Sequence, residues 1–502
     1  MKLVSVRLMV IFPLILSAAA GSPTYKFDFG SGLVASGYTQ ITPQTKYSST
    51  LGYGIDKGNV SSVNKSGSDA LKDDYLTTSD EFLFSVNVSQ GNYDVTVIFG
   101  DANASTSTTV KAENRRLLFD RVTTSAGGFV SKTITVNRRE VKSTDGSVTM
   151  SIKDRELTYF TWDKVLTLRF SGKKPAICGV EIIKNDNVKT LFLCGNSTVV
   201  DQMDAPWCSW GQMIPCFFKP GVTVANYAES GLTAGGFLSM RRLDKIMAEA
   251  KSGDYVFVEF GHNDQKNSTD VANYANNLKT FRDKIKAKGA IPVFVTPTAR
   301  QGENDPNTSI GGLAKKMRET AVSLDVTCID LNQMVIDLHK ALGSNTQYLY
   351  MYTEGDQTHF CEYGGYELAR CVAKGIEEKF PLLKSSFISE YTTFKPSQPD
   401  PLDYLTRDKD PVAIDVLAKT GAASGLHIAF NARAYSITVN GPGDGTRVEM
   451  YSINGKRVFR STIRSDLNAV VVSLPVSKLN RGCYLVRAVR GNEELVRKMD
   501  VY

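Results

Sequence analysis

Leu191-Phe-Leu-Cys-Gly-Asn-Ser-Thr-Val-Val-Asp-Gln202 decides how the rest of the chain is read. Leu191–Cys194 is short and almost wholly apolar, the pattern of a strand buried on both faces of a parallel sheet. Gly195 permits a tight exit, and Ser197 then stands at the strand's C-terminal end. Open parallel α/β sheets bind ligands off that end, so this serine stands where chemistry is usually done. A serine there equally suits a helix N-cap or a turn, and the surrounding chain has to decide between the two.

From Lys189 onward, apolar strands alternate with amphipathic helices. Val222-Thr-Val-Ala225, Tyr255-Val-Phe-Val-Glu-Phe260, Ile291-Pro-Val-Phe-Val295 and Val326-Thr-Cys-Ile-Asp330 join Leu191–Cys194 to predict five strands. Leu243/Ile246/Met247/Ala250, Tyr274/Leu278/Phe281/Ile285, Met317/Ala321/Leu324 and Leu368/Val372/Ile376 recur at helical spacing. The alternation implies right-handed crossovers and a five-stranded parallel sheet covered on both faces, an α/β three-layer domain over 189–384.

The flanks have a different grammar. Residues 24–185 read as all-β, with Tyr25–Phe29, Phe82–Val88, Tyr93–Phe99, Val148–Ile152 and Leu166–Phe170 separated by turns rich in Gly, Asn, Asp and Ser. That spacing predicts a β-sandwich or jelly roll. Tyr159, Phe160 and Trp162 would suit a sugar-stacking platform, although aromatics in β-domains are mostly core. Pro396, Pro399, Pro401 and Pro411 mark a linker over 385–411. Residues 412–502 return to β patterning, with an Asn454-Gly455 hairpin turn, and predict a small C-terminal β-sandwich. Residues 1–20 have a basic start, a short apolar run and an Ala-x-Ala end, the pattern of a signal peptide. The run is too short to span a membrane, and no later stretch is long enough, so an exported protein is expected.

The chain has 502 residues, 42% hydrophobic and 22% charged, which places it among globular proteins. A net charge of +7, with no basic run interleaved with aromatics, is too mild to indicate nucleic acid, and no nucleic-acid partner is expected. It would suit an acidic polysaccharide, and it equally serves solubility. Eight cysteines in so long a chain do not make a disulfide scaffold. Cys208 and Cys216, in one loop-like stretch, are the pair expected to bond, while Cys194 and Cys328 read as buried strand residues. With four histidines and no Cys-x-x-Cys, no protein-ligated metal and no cofactor is expected. Asn196-Ser-Thr198 is a glycosylation sequon, as are those at Asn59, Asn64 and Asn87. A glycan on Asn196 would cover Ser197, which favours a bacterial origin.

Ester cleavage by serine needs a base, a group that orients the base, and donors for the oxyanion. His359 in Glu354-Gly-Asp-Gln-Thr-His-Phe360 is the candidate base. Asp356 precedes it by three residues, so a turn brings its carboxylate to Nδ1 and leaves Nε2 facing a serine. A capping Asp beside a surface His would give the same pattern. Oxyanion donors are available from the Ser197 N–H, from Gly231 in Asn226-Tyr-Ala-Glu-Ser-Gly231, and from the Asn263 amide in Gly261-His-Asn-Asp264. His262 reads as structural. There is no Gly-x-Ser-x-Gly, so the α/β-hydrolase arrangement is not the template.

Taken together, Gly195-Asn-Ser-Thr198, Asn226–Gly231, Gly261–Asp264 and Asp356-Gln-Thr-His359 resemble, in order, the four blocks of SGNH (GDSL-type) hydrolases. Trp210-Gly-Gln-Met-Ile-Pro215, Tyr255–Lys266, Val295-Thr-Pro297 with Arg300, Ile329-Asp-Leu331 and Thr358–Phe360 resemble the rhamnogalacturonan acetylesterase-like branch. The resemblance implies a flavodoxin-like fold and deacetylation of plant cell-wall polysaccharide. It implies a Ser197 nucleophile, a His359 base oriented by Asp356, Gly231 and Asn263 as oxyanion donors, and substrate contacts from Trp210 and Arg300. Asn196 replaces the family's usual Asp, and Leu232 and Gln301 stand where the branch often has Arg. Fewer cations for a uronate leave acetylated xylan open beside pectin. The first domain resembles a galactose-binding-like module. The last, through Val448–Val458, Leu479–Leu485 and Arg497–Tyr502, resembles a type IX secretion sorting domain, implying export to a bacterial cell surface or beyond. Two other classes of function compete: a non-catalytic glycan-binding protein on this scaffold, and a lipid or thioester hydrolase.

Overall fold

A computed structural model describes residues 24–65, 67–351 and 355–405, together with strands at 427–431, 436–440, 446–452, 457–463, 469–473, 482–490 and 493–501. The expected signal peptide, the end of the linker and the Asn454-Gly455 turn lie outside the described residues. The chain divides into two compact units, 1–413 and 414–502.

Within the first unit lies a parallel sheet in the order Val222–Asn226, Lys189–Cys194, Tyr255–Val258, Ile291–Val295 and Thr327–Ile329. Its first strand in sequence is flanked by the second and third, so successive connections leave it in opposite directions. That divergence opens a crevice at the strands' C-terminal ends, where Ser197 follows. The opening strand alternates its side chains between two cores. Leu191 and Leu193 pack with the helix Glu362–Lys379, while Phe192 and Cys194 pack with Arg242–Glu249 and Ser268–Ala287. All four are buried, which is why the stretch is apolar on both faces.

The four expected helical patterns form helices. A further helix, Leu331–Leu342, has no counterpart in the sequence patterns, because the preceding Asp330 reads as the end of a strand. Asp330 instead caps that helix, its side chain accepting from Gln333 N–H.

The earlier β region forms a seven-stranded and a five-stranded sheet that share one core, including Phe27, Phe84, Val97 and Leu168. Val148–Ile152, expected as a strand, makes only an isolated bridge, Lys142 to Thr149. Its apolar residues are used elsewhere: Met150 joins the core of the α/β domain, and Ser151 N–H donates to Met240 O at 2.9 Å. The contact between the two domains is extensive and polar. Thr223 Oγ1 donates to Thr135 O, and Gly221 N–H to Thr135 Oγ1, each at 3.0 Å. Arg116, buried, donates to Asp201 Oδ2 at 3.1 Å and to Val224 O at 3.3 Å.

The second unit contains a three-stranded and a four-stranded sheet, antiparallel throughout. Val448, Met450, Val486 and Ala488 are buried in the larger one.

The expected Cys208–Cys216 disulfide is absent; both thiols are free and buried. The helical segment Trp210–Met213 runs between them, Cys216 lies within the next one, Ile214–Phe217, and Cys208 is drawn instead toward the strand-like bridge with Phe360. Among the described residues no helix is long and apolar enough to cross a membrane.

Candidate active site

The loop that carries Ser197 is shaped by Gly195. A Cβ at this position would lie 2.4 Å from Val199 Cγ2, so only glycine lets the chain turn here. Asn196 O then accepts from Val199 and Val200 N–H, and its Oδ1 accepts from Thr198 N–H at 3.1 Å. Oδ1 therefore does what an aspartate would do in the loop, and the fully buried side chain leaves no room for a glycan. Ser197 rides on this turn with 5% of its surface exposed.

His359 reaches the loop from the far end of the domain. The segment is pinned by Met351 N–H to His359 O and by Cys208 N–H to Phe360 O, each at 2.9 Å. Asp356 Oδ1 accepts from Thr358 N–H at 2.8 Å and His359 N–H at 3.0 Å. Its Oδ2 lies 2.7 Å from His359 Nδ1, and His359 Nε2 lies 2.8 Å from Ser197 Oγ. Partial burial works against the Asp356 charge, but the hydrogen bonds from the His359 ring and from the two backbone N–H groups outweigh it and hold the carboxyl below its ordinary value.

The two proposed donor loops stand on the same rim. Gly231 has φ +80°, a left-handed conformation suited to glycine. Glu229 N–H donates to Gly195 O at 3.2 Å, tying this loop to the turn that carries Ser197. Asn263 Nδ2 donates to Leu232 O at 3.1 Å and its Oδ1 accepts from Lys266 Nζ at 3.0 Å, so the amide is oriented with one N–H left for a further acceptor. A hydroxyl, an imidazole and a carboxylate thus meet within hydrogen-bond distance, and the Gly231 and Asn263 loops follow strands neighbouring Lys189–Cys194 at the same C-terminal edge of the sheet.

Residues 193–364 match the GDSL-like lipase/acylhydrolase family. The rhamnogalacturonan acetylesterase RhgT of Bacillus subtilis (strain 168) is 35% identical over 218 residues, which is 40% of this chain and 94% of the relative. The chain belongs to the GDSL-like lipase/acylhydrolase family. It is accordingly a carboxylic-ester hydrolase. The probable rhamnogalacturonan acetylesterase YesY of the same organism is 33% identical over 217 residues, 40% of this chain and 98% of the relative. The uncharacterized esterase YxiM, also from that organism, is 26% identical over 390 residues, 74% of this chain and 96% of the relative. Residues 25–151 match the β-agarase/YXIM esterase-like, galactose-binding domain-like family. Residues 424–501 match the secretion system C-terminal sorting domain, which marks this hydrolase for secretion or the cell surface.

One expected substrate contact of this GDSL-like domain is corrected. Trp210 is fully buried, its indole N–H donating to Glu259 Oε2. The aromatic beside the site is Trp207, partly exposed, whose ring meets the His359 ring edge-on at 5.4 Å between centroids. Trp207 lies three residues earlier on the same loop and carries no sequence signal that separates it from Trp210. Arg300 does reach the rim. Its Nε donates to Thr358 Oγ1 at 3.0 Å, and Gln265, with its amide oxygen turned to the guanidinium, accepts from Nη1 and Nη2 at 2.7 and 2.6 Å. The aromatic trio of the first domain is not an open platform: Trp162 is buried against Tyr227, and Tyr159 packs onto the same core.

Nothing in the sequence around Glu259 distinguishes it from the strand it ends. It is fully buried and also accepts from Thr198 Oγ1 at 2.7 Å. Burial pushes its carboxyl up to about 7, against the opposing hydrogen bonds from Trp210 and Thr198. His262, expected as structural, is buried with Nε2 3.2 Å from Thr298 Oγ1. Burial first, then the neighbouring Arg300 and His359, pushes its imidazole down to about 3, so it stays neutral. Among the described residues no cluster of His, Cys, Asp or Glu could hold a metal ion.

Proposed function

We propose that this hydrolase is a secreted carbohydrate esterase that removes O-acetyl groups from plant cell-wall polysaccharide, with acetylated rhamnogalacturonan ahead of acetylated xylan. The reading is carried by the unbroken hydrogen-bonded chain from Asp356 through His359 to Ser197, at 2.7 and 2.8 Å. The names of the two relatives above 30% identity, a rhamnogalacturonan acetylesterase and a probable rhamnogalacturonan acetylesterase, support the substrate. Arg300 at the rim offers a uronate carboxylate one cation, although Leu232 and Gln301 withhold others.

In this mechanism Ser197 Oγ attacks the acetyl carbonyl while His359 Nε2 takes its proton. Asp356 holds the ring in the tautomer with the proton on Nδ1 and stabilises the imidazolium. The Ser197 and Gly231 N–H groups and the Asn263 amide receive the oxyanion. Collapse releases the sugar hydroxyl, protonated by His359, and leaves acetyl-Ser197. Water then attacks through the same base and frees acetate. No metal or cofactor takes part. The C-terminal unit directs export through type IX secretion machinery, and the partner outside the cell is the polysaccharide.

Acetate release from a panel of acetylated pectins and xylans tests the substrate, with Ser197→Ala as the control. Release from rhamnogalacturonan by the wild type and none by the variant is expected. An unchanged rate in Ser197→Ala removes Ser197 from the mechanism.

A further inference from the structure

The segment that links strands Phe129–Arg138 and Val165–Lys174 of the first domain reaches the Glu229–Gly231 loop of the hydrolase domain. It carries the short helical turn Asp154–Thr158. Buried Glu156 anchors it, accepting from the Lys153 N–H at 2.8 Å and the Trp162 indole at 3.0 Å and pairing with the buried Arg242. Arg242 in turn donates to Tyr227 O at 3.0 Å, at the start of the oxyanion loop.

From this anchored segment two cations reach one carbonyl oxygen. Lys153 Nζ donates to Ser230 O at 2.6 Å, and Arg155 Nη2 donates to the same oxygen at 2.7 Å. Arg155 Nε also donates to buried Glu229 at 2.7 Å. Ser230 C=O and Gly231 N–H belong to one planar peptide unit, and in a trans peptide they point in opposite directions. Fixing the carbonyl therefore aims the N–H. Two positive charges on the oxygen also draw electron density from the amide nitrogen and strengthen it as a donor, because hydrogen bonds in a chain polarise one another. A Cβ at Gly231 would stand 3.3 Å from Lys153 Nζ, so the ammonium lies directly against the proposed donor residue.

We propose that Lys153 and Arg155 of the first domain are positioning residues for ester cleavage, clamping and polarising the Ser230–Gly231 peptide whose N–H receives the oxyanion. The inference rests on the assignment of Gly231 as a donor in the reaction above. The galactose-binding-like domain is then part of the catalytic apparatus, besides any contact it makes with polysaccharide. Two further contacts fit this role: Arg115 Nη1 donates to the carbonyl of Trp207 at 2.9 Å, and Lys111 pairs with Glu362, just after His359, at 2.9 Å.

The test uses the full chain, with p-nitrophenyl acetate as substrate and phenylboronic acid as probe, whose tetrahedral serine adduct places an oxygen in the oxyanion site. Lys153→Met and Arg155→Met are each expected to lower kcat by roughly 10- to 100-fold with KM little changed, the scale of a misaimed transition-state donor. Boronate affinity falls by a similar factor, and Lys153→Arg recovers most of both. A fall in kcat with unaltered boronate affinity overturns the proposal, as does a double Met variant that keeps the wild-type kcat. Ser197→Ala, run in parallel, separates the two levels. If it is inactive while the double Met variant is fully active, only the clamp fails. If it keeps the wild-type rate, the serine mechanism fails and the clamp with it.

Discussion

Replacing Asp356 with Asn should be more damaging than its near-identical shape suggests. Asp356 Oδ1 accepts two backbone N–H groups, from Thr358 and His359, while Oδ2 accepts from the His359 ring. An Asn has one acceptor oxygen, and the two backbone donors claim it. Its NH₂ group then faces Nδ1, which must become an acceptor, so the ring proton moves to Nε2 and points at Ser197 Oγ. The base is disabled by its own tautomer. Restoring the working tautomer breaks the new bond and leaves a half-buried donor unmet, about 1–3 kcal/mol. The imidazolium of the transition state also loses a charge-assisted hydrogen bond, about 1.5–3 kcal/mol. Together these amount to roughly 3–6 kcal/mol, or about 10²- to 10⁴-fold in kcat at 1.36 kcal/mol per decade. Asp356→Ala lets the ring choose its tautomer and should retain more activity than Asn. Initial rates on p-nitrophenyl acetate, with melting curves showing both variants folded, decide the matter. An Asn variant within a factor of about ten of wild type, or clearly more active than Ala, refutes the tautomer argument.

Further expectations follow from neighbouring residues. Asn263→Ala should lower kcat by roughly 10²- to 10³-fold with little change in KM, as loss of one oxyanion donor does in other hydrolases; equal kcat in steady-state assays removes it from the site. Trp210→Phe leaves Glu259 Oε2 without its indole donor and should cost about 1–3 kcal/mol in denaturant unfolding. Its KM for polysaccharide should not change, and a KM effect without destabilisation would return Trp210 to the substrate surface. Glu259, with its folded carboxyl raised to about 7, binds a proton in the native state over a range where the unfolded chain has lost it. Its stabilising contribution is present in acid and is lost as pH rises from the unfolded value of about 4.3 through about 7, by a few kcal/mol in all. Glu259→Gln should therefore flatten the stability profile between about pH 5 and 8, and chemical denaturation across that range reads it directly.

Much of the site was legible because its groups lie in short local patterns. Asp356 and His359 are three residues apart, so one turn joins them. Gly195 and Gly231 each mark a backbone conformation or close approach that few other residues tolerate. The errors share one physical origin: side-chain direction around a loop has no periodicity to read. Trp207 and Trp210 are equally aromatic and equally placed in sequence, yet one edge meets His359 and the other is sealed under Glu259. The same applies to Val148–Ile152, whose alternation resembles a strand but serves to dock one domain on another.

By itself the amino-acid order determined the layering of β, α/β and β segments, the parallel sheet, and the serine, histidine and aspartate at its edge. Hydrophobic period and turn chemistry are local and act over a few residues. Only the tertiary structure decided that Arg116, Lys153 and Arg155, far back in the chain, reach the hydrolase loops. Contacts between a charged side chain and a distant carbonyl depend on how two domains are docked, and no local rule of sequence encodes that.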